Sequence, residues 1–448
     1  MKQILKLKIE KLALGGFGLG FSEGRAIFVP YTAPGDEVDV LITHQRKDHA
    51  FGKANHFHQH GAAYREPECE AFGAEVPCGG CDWLMLDYPA QLKAKQALVE
   101  EMFSPQVDSR LINPTLASPK PRHYRNKVFM PVGKLSGTGK TGYGIFSRYT
   151  HTIVPHQACL NHPPVFDQLA KSILEACEKA GVAAYNEAQH RGNLRHLGFR
   201  SSSDGKQVLV ILVTLSAKLP FSNLLVKKIT AEFPQVCGIV QNINRQRGNV
   251  ILGEETKLLY GSDSLSDTLS DLRFELNYRS FWQINTGTME NILCSLRAAL
   301  KPQSVVLDAF CGIGAIGLSM ASQVKRLALL EDNPQAIADA RLNAANNGID
   351  NLSFYTGRFE ALLPQVIAEL NPDTIIMDPP RSGVDAQSLQ LIAEKKIKQI
   401  IYLSCSPITL LRDLKLLKAG GYKITSLQSF DMFPNTWHIE CLAILSLS

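Results

Sequence analysis

Val305-Val-Leu-Asp-Ala-Phe-Cys-Gly-Ile-Gly314 is the stretch on which the reading of the fold turns. A short apolar run ends at Asp308, and glycines follow at 312 and 314. The run has the length and β-branched content of a buried strand. The glycines let the backbone approach a ligand with no Cβ in the way. Three later runs repeat the form: Leu327-Ala-Leu-Leu-Glu331, Thr374-Ile-Ile-Met-Asp378 and Gln399-Ile-Ile-Tyr-Leu403. Each is apolar and ends near a polar residue, and helical patterns lie between them. Strands alternating with helices predict a doubly wound, Rossmann-like α/β sheet, whose ligands bind beyond the carboxyl ends of the strands. Glu331 ends the second run about twenty residues after the first, where an acid accepts hydrogen bonds from ribose hydroxyls. Strand, glycines and acid in this order suit either a dinucleotide or S-adenosylmethionine.

Asp378-Pro-Pro-Arg381 separates those two ligands. A dinucleotide enzyme has no need of this turn. A Pro-Pro step blocks helix continuation and holds a loop against the cofactor pocket of a methyltransferase. A merely rigid strand-to-helix turn ranks lower, because Asp378 is expected to point into the crevice. Ser404-Cys-Ser-Pro407 ends the next strand on the same side of the sheet. A thiol there has a chemical use. C5 of uracil is a poor nucleophile. Addition of a thiolate at C6 makes the ring an enolate that attacks a methyl sulfonium, and a base must then remove the C5 proton so that the thiol can leave. Cys405 supplies the thiol, and Glu440, in Thr436-Trp-His-Ile-Glu440, supplies the carboxylate. The competing readings are an ordinary buried strand cysteine and a surface charge. Cys311, inside the glycine turn, reads as packing. Cys177, Cys237, Cys294 and Cys441 have no partner pattern and read as structural.

Outward from this region, a chain of 448 residues predicts two or three domains. Residues 1–57 carry short strand candidates, Leu5-Lys-Leu-Lys-Ile9, Ala26-Ile-Phe-Val29 and Val38-Asp-Val-Leu-Ile42, separated by glycine-rich turns. They suit an OB-like β-barrel, a common nucleic-acid platform. Residues 58–270 form a central α+β region with a helix candidate from Pro89 to Phe103 and a buried strand from Val208 to Leu215. The Ser/Asp-rich run from Gly261 to Asp271 reads as a linker, and 271–448 is the catalytic domain. No run is long enough to span a bilayer and no apolar segment follows Met1, so a cytoplasmic protein is expected. A monomer is expected as well.

The net charge of +5 says little by itself, but its distribution says more. From Lys120 to Arg148 there are seven Lys or Arg and no acid, with Tyr124, Phe129, Tyr143 and Phe146 interleaved. Such a stretch suits phosphate neutralisation and stacking on unpaired bases, with Arg122, Arg125, Lys127 and Arg148 as the expected RNA contacts. A solvated, hairpin-rich face fits the same composition. Ten cysteines without a secretory signal argue against a disulfide framework, and Cys69, Cys78 and Cys81 cluster apart from the others.

Taken together, Phe281-Trp-Gln-Ile-Asn285, Asp308-Ala-Phe-Cys-Gly-Ile-Gly314, Asp378-Pro-Pro-Arg381, Ser404-Cys-Ser-Pro407 and His438-Ile-Glu440 stand in the order of a known family. The chain resembles, over nearly all of its length, the RNA (uracil-5-)-methyltransferases that act on bacterial 23S ribosomal RNA or on the T-loop of tRNA. Arg125-Asn-Lys-Val-Phe-Met-Pro-Val-Gly133 also looks like a family signature. The resemblance implies Cys405 as nucleophile and Glu440 as base, with Gln283, Phe310, Gly312, Gly314, Glu331 and Asp378 around S-adenosylmethionine. Ala315 stands where relatives usually carry Asn or Thr, and Arg358 where a polar or acidic residue often meets the adenine. The N-terminal unit looks like a TRAM domain. Some members hold a [4Fe–4S] cluster on four cysteines, and here Cys69, Cys78, Cys81 and the distant Cys159 match, with a long first spacer. Four thiolates around a Cys-x2-Cys core suit iron–sulfur or zinc, and the resemblance favours iron–sulfur. The barrel with the cluster resembles the ribosomal enzymes, so 23S rRNA is the expected substrate and tRNA the second. A cytosine-5 enzyme would place a cysteine where Arg381 stands. An exocyclic-amine enzyme would have no need of Cys405. A non-catalytic iron–sulfur RNA-binding protein would not need both Cys405 and Glu440.

Overall fold

The structure is a computed structural model and describes residues 4–447. Its largest sheet has eight strands in the order Leu352–Thr356, Arg326–Glu331, Val305–Ala309, Thr374–Met377, Gln399–Ser404, Glu440–Leu447, Tyr422–Phe430 and Ile112–Leu116. The first five are mutually parallel. Glu440–Leu447 runs antiparallel to both of its neighbours. Helices cover both faces, which is why Thr374–Met377 and Gln399–Ser404 are buried at every position and read as unbroken apolar runs. This is the predicted α/β sheet.

Chain order reverses at Val305–Ala309, whose sheet neighbours are Arg326–Glu331 on one side and Thr374–Met377 on the other. Loops diverge there and open a crevice at the carboxyl ends of the strands. The glycine turn, Asp378 and Cys405 all leave the sheet on that edge.

Residues 4–59 form a six-stranded barrel-like sheet around Leu7, Ile9, Ile27, Val29, Val38 and Val40. A second six-stranded sheet runs Glu255–Gly261, Val236–Ile243, Val208–Thr214, Leu194–Ser201, Lys127–Lys134, Thr141–Tyr143. Helices Pro164–Lys179 and Ser222–Glu232 cover it. The stretch 58–270 is therefore shared between two sheets. Its helix Tyr88–Phe103 and edge strand Ile112–Leu116 belong to the packing of the catalytic sheet: Leu98, Val99, Phe103 and Ile112 share a core with Ile400, Leu427 and Ala443.

One expectation is corrected. The run Gly261–Asp271, expected as a linker, folds as the hairpin Ser264–Leu269 with Leu272–Asn277. Leu265, Asp267 and Leu269 alternate inward, and Asp267 accepts from the Ser203 amide at 2.9 Å and its hydroxyl at 2.6 Å. Hydrogen bonds to Asp267 Oδ1, from Ser203 and from the Thr268 amide at 2.9 Å, offset part of the cost of burying a serine- and aspartate-rich strand. Among the described residues no helix is long and apolar enough to cross a membrane.

Candidate active site

A cleft of about 990 Å³ opens at the strand ends. Gln283, Phe310, Gly312, Glu331, Asp378, Cys405 and Glu440 all line it. Six segments, separated by up to about 160 residues of chain, converge there because each predicted side chain follows a strand of one sheet or faces that sheet's edge.

The glycine turn is built under constraint. Phe310 adopts φ 62° and Gly312 φ 55°. The left-handed region is costly for a residue with a bulky side chain, so the surroundings must fix Phe310. Its ring packs on Phe359 with centroids 4.7 Å apart. Glu331 helps to fix the turn by accepting from the Gly312 amide at 3.0 Å and the Asn333 amide at 3.0 Å. A Cβ on Gly312 would meet nothing within 4 Å, so this glycine leaves its face open to the cleft. Gly314 acts differently. It has φ 87°, and a Cβ there would stand 2.9 Å from the Leu318 side chain. Its place is the turn into helix Ala315–Met320, and it does not line the cleft. Asp308, buried, accepts from the Gly317 amide at 2.8 Å and anchors that helix to the first strand.

The chemistry-bearing groups crowd the floor. Burial, then the charges of Glu440 and Asp378, push the Cys405 thiol up, while Arg381 beside it pulls the other way. Burial and the Asp378 charge raise the Glu440 carboxyl well above the usual range. Burial raises Asp378 too, against a long 3.4 Å hydrogen bond from the Gln283 amide. Glu440 Oε1 is buried with no partner. A thiol, two carboxyls held towards their neutral forms and an unpartnered oxygen make a pocket in which an arriving cation favours the ionised forms of its neighbours.

Several lining residues were not predicted as site residues. Phe281, 69% exposed, stands at the mouth of the cleft, and Arg381 faces the thiol. Both sat inside motifs that were read for other positions. Ala315 and Arg358 do line the cleft.

The second predicted constellation also assembles. Cys69, Cys78, Cys81 and Cys159 line one cavity of about 70 Å³, together with Phe72, Leu84, Arg125 and His156. Asn161 donates to the Cys81 sulfur at 3.2 Å. Burial pushes Cys78 up to about 11 and Cys81 higher still. Burial acts on Cys159 as well, but the hydrogen bond and charge of His162 outweigh it and bring that thiol to about 7. Asp167 holds His156 at 2.9 Å and His162 at 3.1 Å behind it.

The basic stretch is not a single exposed face. Arg148 pairs with buried Asp82 and donates to the Gly15 carbonyl at 2.8 Å, tying the barrel to the cysteine segment. Lys127, brought down to about 7 mainly by burial, lies over Phe129. Arg125 borders the cysteine cavity with its Nε buried. Arg122 is exposed and paired with Glu68. Arg148 and Lys127 are thus turned inward by a charge partner and by strand alternation, neither of which composition displays.

Comparison with known proteins agrees with this architecture. The model of the tRNA (uracil-5-)-methyltransferase family matches residues 206–447. That of the TRAM domain of tRNA (uracil(54)-C(5))-methyltransferase matches residues 5–57. An uncharacterized RNA methyltransferase of Oceanobacillus iheyensis is 36% identical over 99% of this chain and 97% of its own length. One of Gloeobacter violaceus is 36% identical over 100% and 97%. The crystal structure of Pyrococcus abyssi tRNA (uracil-54, C5)-methyltransferase in complex with S-adenosyl-L-homocysteine shares the fold, with a TM-score of 0.79 and 24% identity over 98% of this chain and 100% of that one. With a family model covering more than half of the sequence and relatives matched end to end, the chain belongs to the tRNA (uracil-5-)-methyltransferase family of RNA methyltransferases.

Proposed function

We propose that this protein transfers a methyl group from S-adenosylmethionine to C5 of a uridine in RNA, with Cys405 as nucleophile and Glu440 as base. The observation that carries the proposal is the meeting of Cys405, Glu440 and Asp378 with the constrained glycine turn in one cleft. S-adenosylmethionine supplies the methyl group as a sulfonium cation, the charge that this acidic floor suits. Gln283, Phe310, Gly312, Glu331 and Asp378 bind and orient it, and Gly314 shapes the turn. The Cys405 sulfur adds to C6 of the ring, C5 takes the methyl group, and Glu440 accepts the C5 proton as the C6–S bond breaks. Arg381, beside the thiol, favours its ionised form.

We further propose that Cys69, Cys78, Cys81 and Cys159 hold a [4Fe–4S] cluster. Four thiols around one partly enclosed cavity fit such a group. The four-thiolate donor set suits a single zinc ion as well, and the family resemblance is what favours iron–sulfur. The cluster would supply bonds that tie residues 69–81 to 159, a structural role, since methyl transfer moves no electron. Brown, anaerobically purified protein with iron and sulfide, lost in Cys81→Ser, is the expected result. Stoichiometric zinc without iron would overturn it.

The barrel, the cysteine cavity and their ribosomal-enzyme likeness favour 23S rRNA in the cytoplasm as the substrate. The tRNA reading rests on the descriptions of both matched family models and of the Pyrococcus abyssi enzyme that shares the fold. Nucleoside analysis of 23S rRNA and tRNA transcripts incubated with the protein and S-adenosylmethionine separates them. 5-Methyluridine in the ribosomal transcript alone is expected, its appearance in tRNA alone would overturn the target, and methylation at any other atom would overturn the reaction.

A further inference from the structure

Lys95 is wholly buried, on helix Tyr88–Phe103, and lies outside every motif discussed so far. Its ammonium has three donors. All three are used: on Asp431 Oδ1 at 2.6 Å, on the Phe433 carbonyl at 3.1 Å and on the His438 carbonyl at 2.8 Å. These acceptors are spread along the nine-residue connection 431–439, which joins the strands ending at Phe430 and beginning at Glu440. Phe433 lines the catalytic cleft, and His438 is two residues before Glu440. One ammonium thus grips the loop at its start, in its middle and just before the proposed base.

Other contacts hold the same loop. Gln91, one helical turn before Lys95 and on the same face, accepts from the Asn435 amide at 2.9 Å. Tyr124 donates to the Pro434 carbonyl at 3.2 Å, Asn285 to the Met432 carbonyl at 3.2 Å and Thr288 to the Asp431 carbonyl at 3.2 Å. None of these side chains bridges two points of the loop backbone as Lys95 does. With Phe433 and His438 carbonyls on one nitrogen, the loop is pinched, and Glu440 leaves it in a fixed direction.

We infer that Lys95 is a positioning residue for Glu440: by closing the loop 431–439 it sets where the carboxyl stands relative to Cys405. It touches no substrate, because no donor is left over. The inference rests on the reading of Glu440 as the base that resolves the covalent RNA adduct. A misplaced Glu440 leaves thiol addition and methyl transfer intact and slows only the last step.

The test uses the full-length protein with uridine-containing RNA and S-adenosylmethionine, and follows the denaturation-resistant enzyme–RNA complex over time. Lys95→Met, similar in length but without donors, should bind S-adenosylmethionine within about threefold of the parent, turn over at least about tenfold more slowly and accumulate the methylated adduct. Lys95→Gln, which keeps two amide donors, should lie between. Glu440→Gln is the control for the underlying reading. If it fails to accumulate adduct, the base assignment falls. If it accumulates adduct and the folded Lys95 variants do not, Lys95 does not position it. Should Lys95→Met not fold, Lys95→Gln carries the test. Failure of both to fold would make Lys95 a folding determinant and overturn the inference.

Discussion

The catalytic cleft and the cysteine cavity both gather thiols under partial burial, yet they surround them differently. Cys405 faces Asp378 and Glu440, whose charges add to burial in holding the thiol neutral, with only Arg381 opposing. Among the described residues no carboxylate lines the cysteine cavity, although Glu70 adds to burial in raising Cys69, and His162 draws Cys159 down. The first arrangement waits for a cation that arrives with the reaction and departs after it. The second suits thiolates that stay ionised on a resident metal group. Burial raises a thiol in either place, and the contrast rests on Cys159, the cavity thiol that a neighbouring cation, His162, draws below its ordinary value.

Substitutions can break this contrast. The largest effect is expected from Cys405→Ala, which should abolish methylation while leaving S-adenosylmethionine affinity, by calorimetry, within a few-fold. A variant with substantial activity would remove the nucleophile from the account. Glu440→Gln should lower turnover by about 10²–10⁴-fold, the usual worth of a general base, read from single-turnover release of methylated RNA. Normal release would assign the proton to another group. Asp378→Ala should weaken S-adenosylmethionine by about 1.5–3 kcal/mol, the worth of a hydrogen bond to a charged group. Unchanged affinity would displace Asp378 from the cofactor.

The smallest effect is a pH dependence, which sharpens the comparison. Burial raises Cys405, Asp378 and Glu440, so in the free enzyme they hold protons longer than ordinary thiols and carboxyls do. A sulfonium brought among them favours their ionised forms and lowers all three. Binding therefore releases protons, and affinity for S-adenosylmethionine should rise with pH until the groups are ionised in the free enzyme. S-adenosylhomocysteine, with a neutral sulfur, should show a shallower rise. Calorimetry in buffers of different ionisation enthalpy measures the released protons directly. Equal release for both ligands would mean that the floor does not sense the charge.

The cleft was legible in the sequence because each of its parts lies beside a strand with its own local pattern. Asp378 and Cys405 directly follow buried strands, and in a parallel sheet that address is enough to place them at one edge. The cavity was legible for Cys69, Cys78 and Cys81, which lie close together, whereas Cys159 needed the family likeness. Features made by distant partners stayed hidden. Lys95 looks like any helix lysine until Asp431, 336 residues away, comes to face it. Arg148 looks like a surface cation until Asp82 pairs with it. Ile112–Leu116 contains Pro114, which argues against a central strand, but it sits at the sheet edge, where a missing amide costs little. The hairpin at 264–277 was missed because its buried aspartate depends on Ser203, on another strand connection, as well as on the neighbouring Thr268 amide.

The central claim is that Cys405 bonds to C6 of the target uridine in this cleft. RNA carrying 5-fluorouridine at the modified site tests it most directly, since fluorine does not leave as a proton does and the adduct cannot resolve. With S-adenosylmethionine present, mass spectrometry of the digested complex should show one nucleotide, methylated at C5, attached to the peptide containing Cys405. An adduct on Cys311 or another cysteine, or methylated RNA released with no adduct at all, would contradict the account.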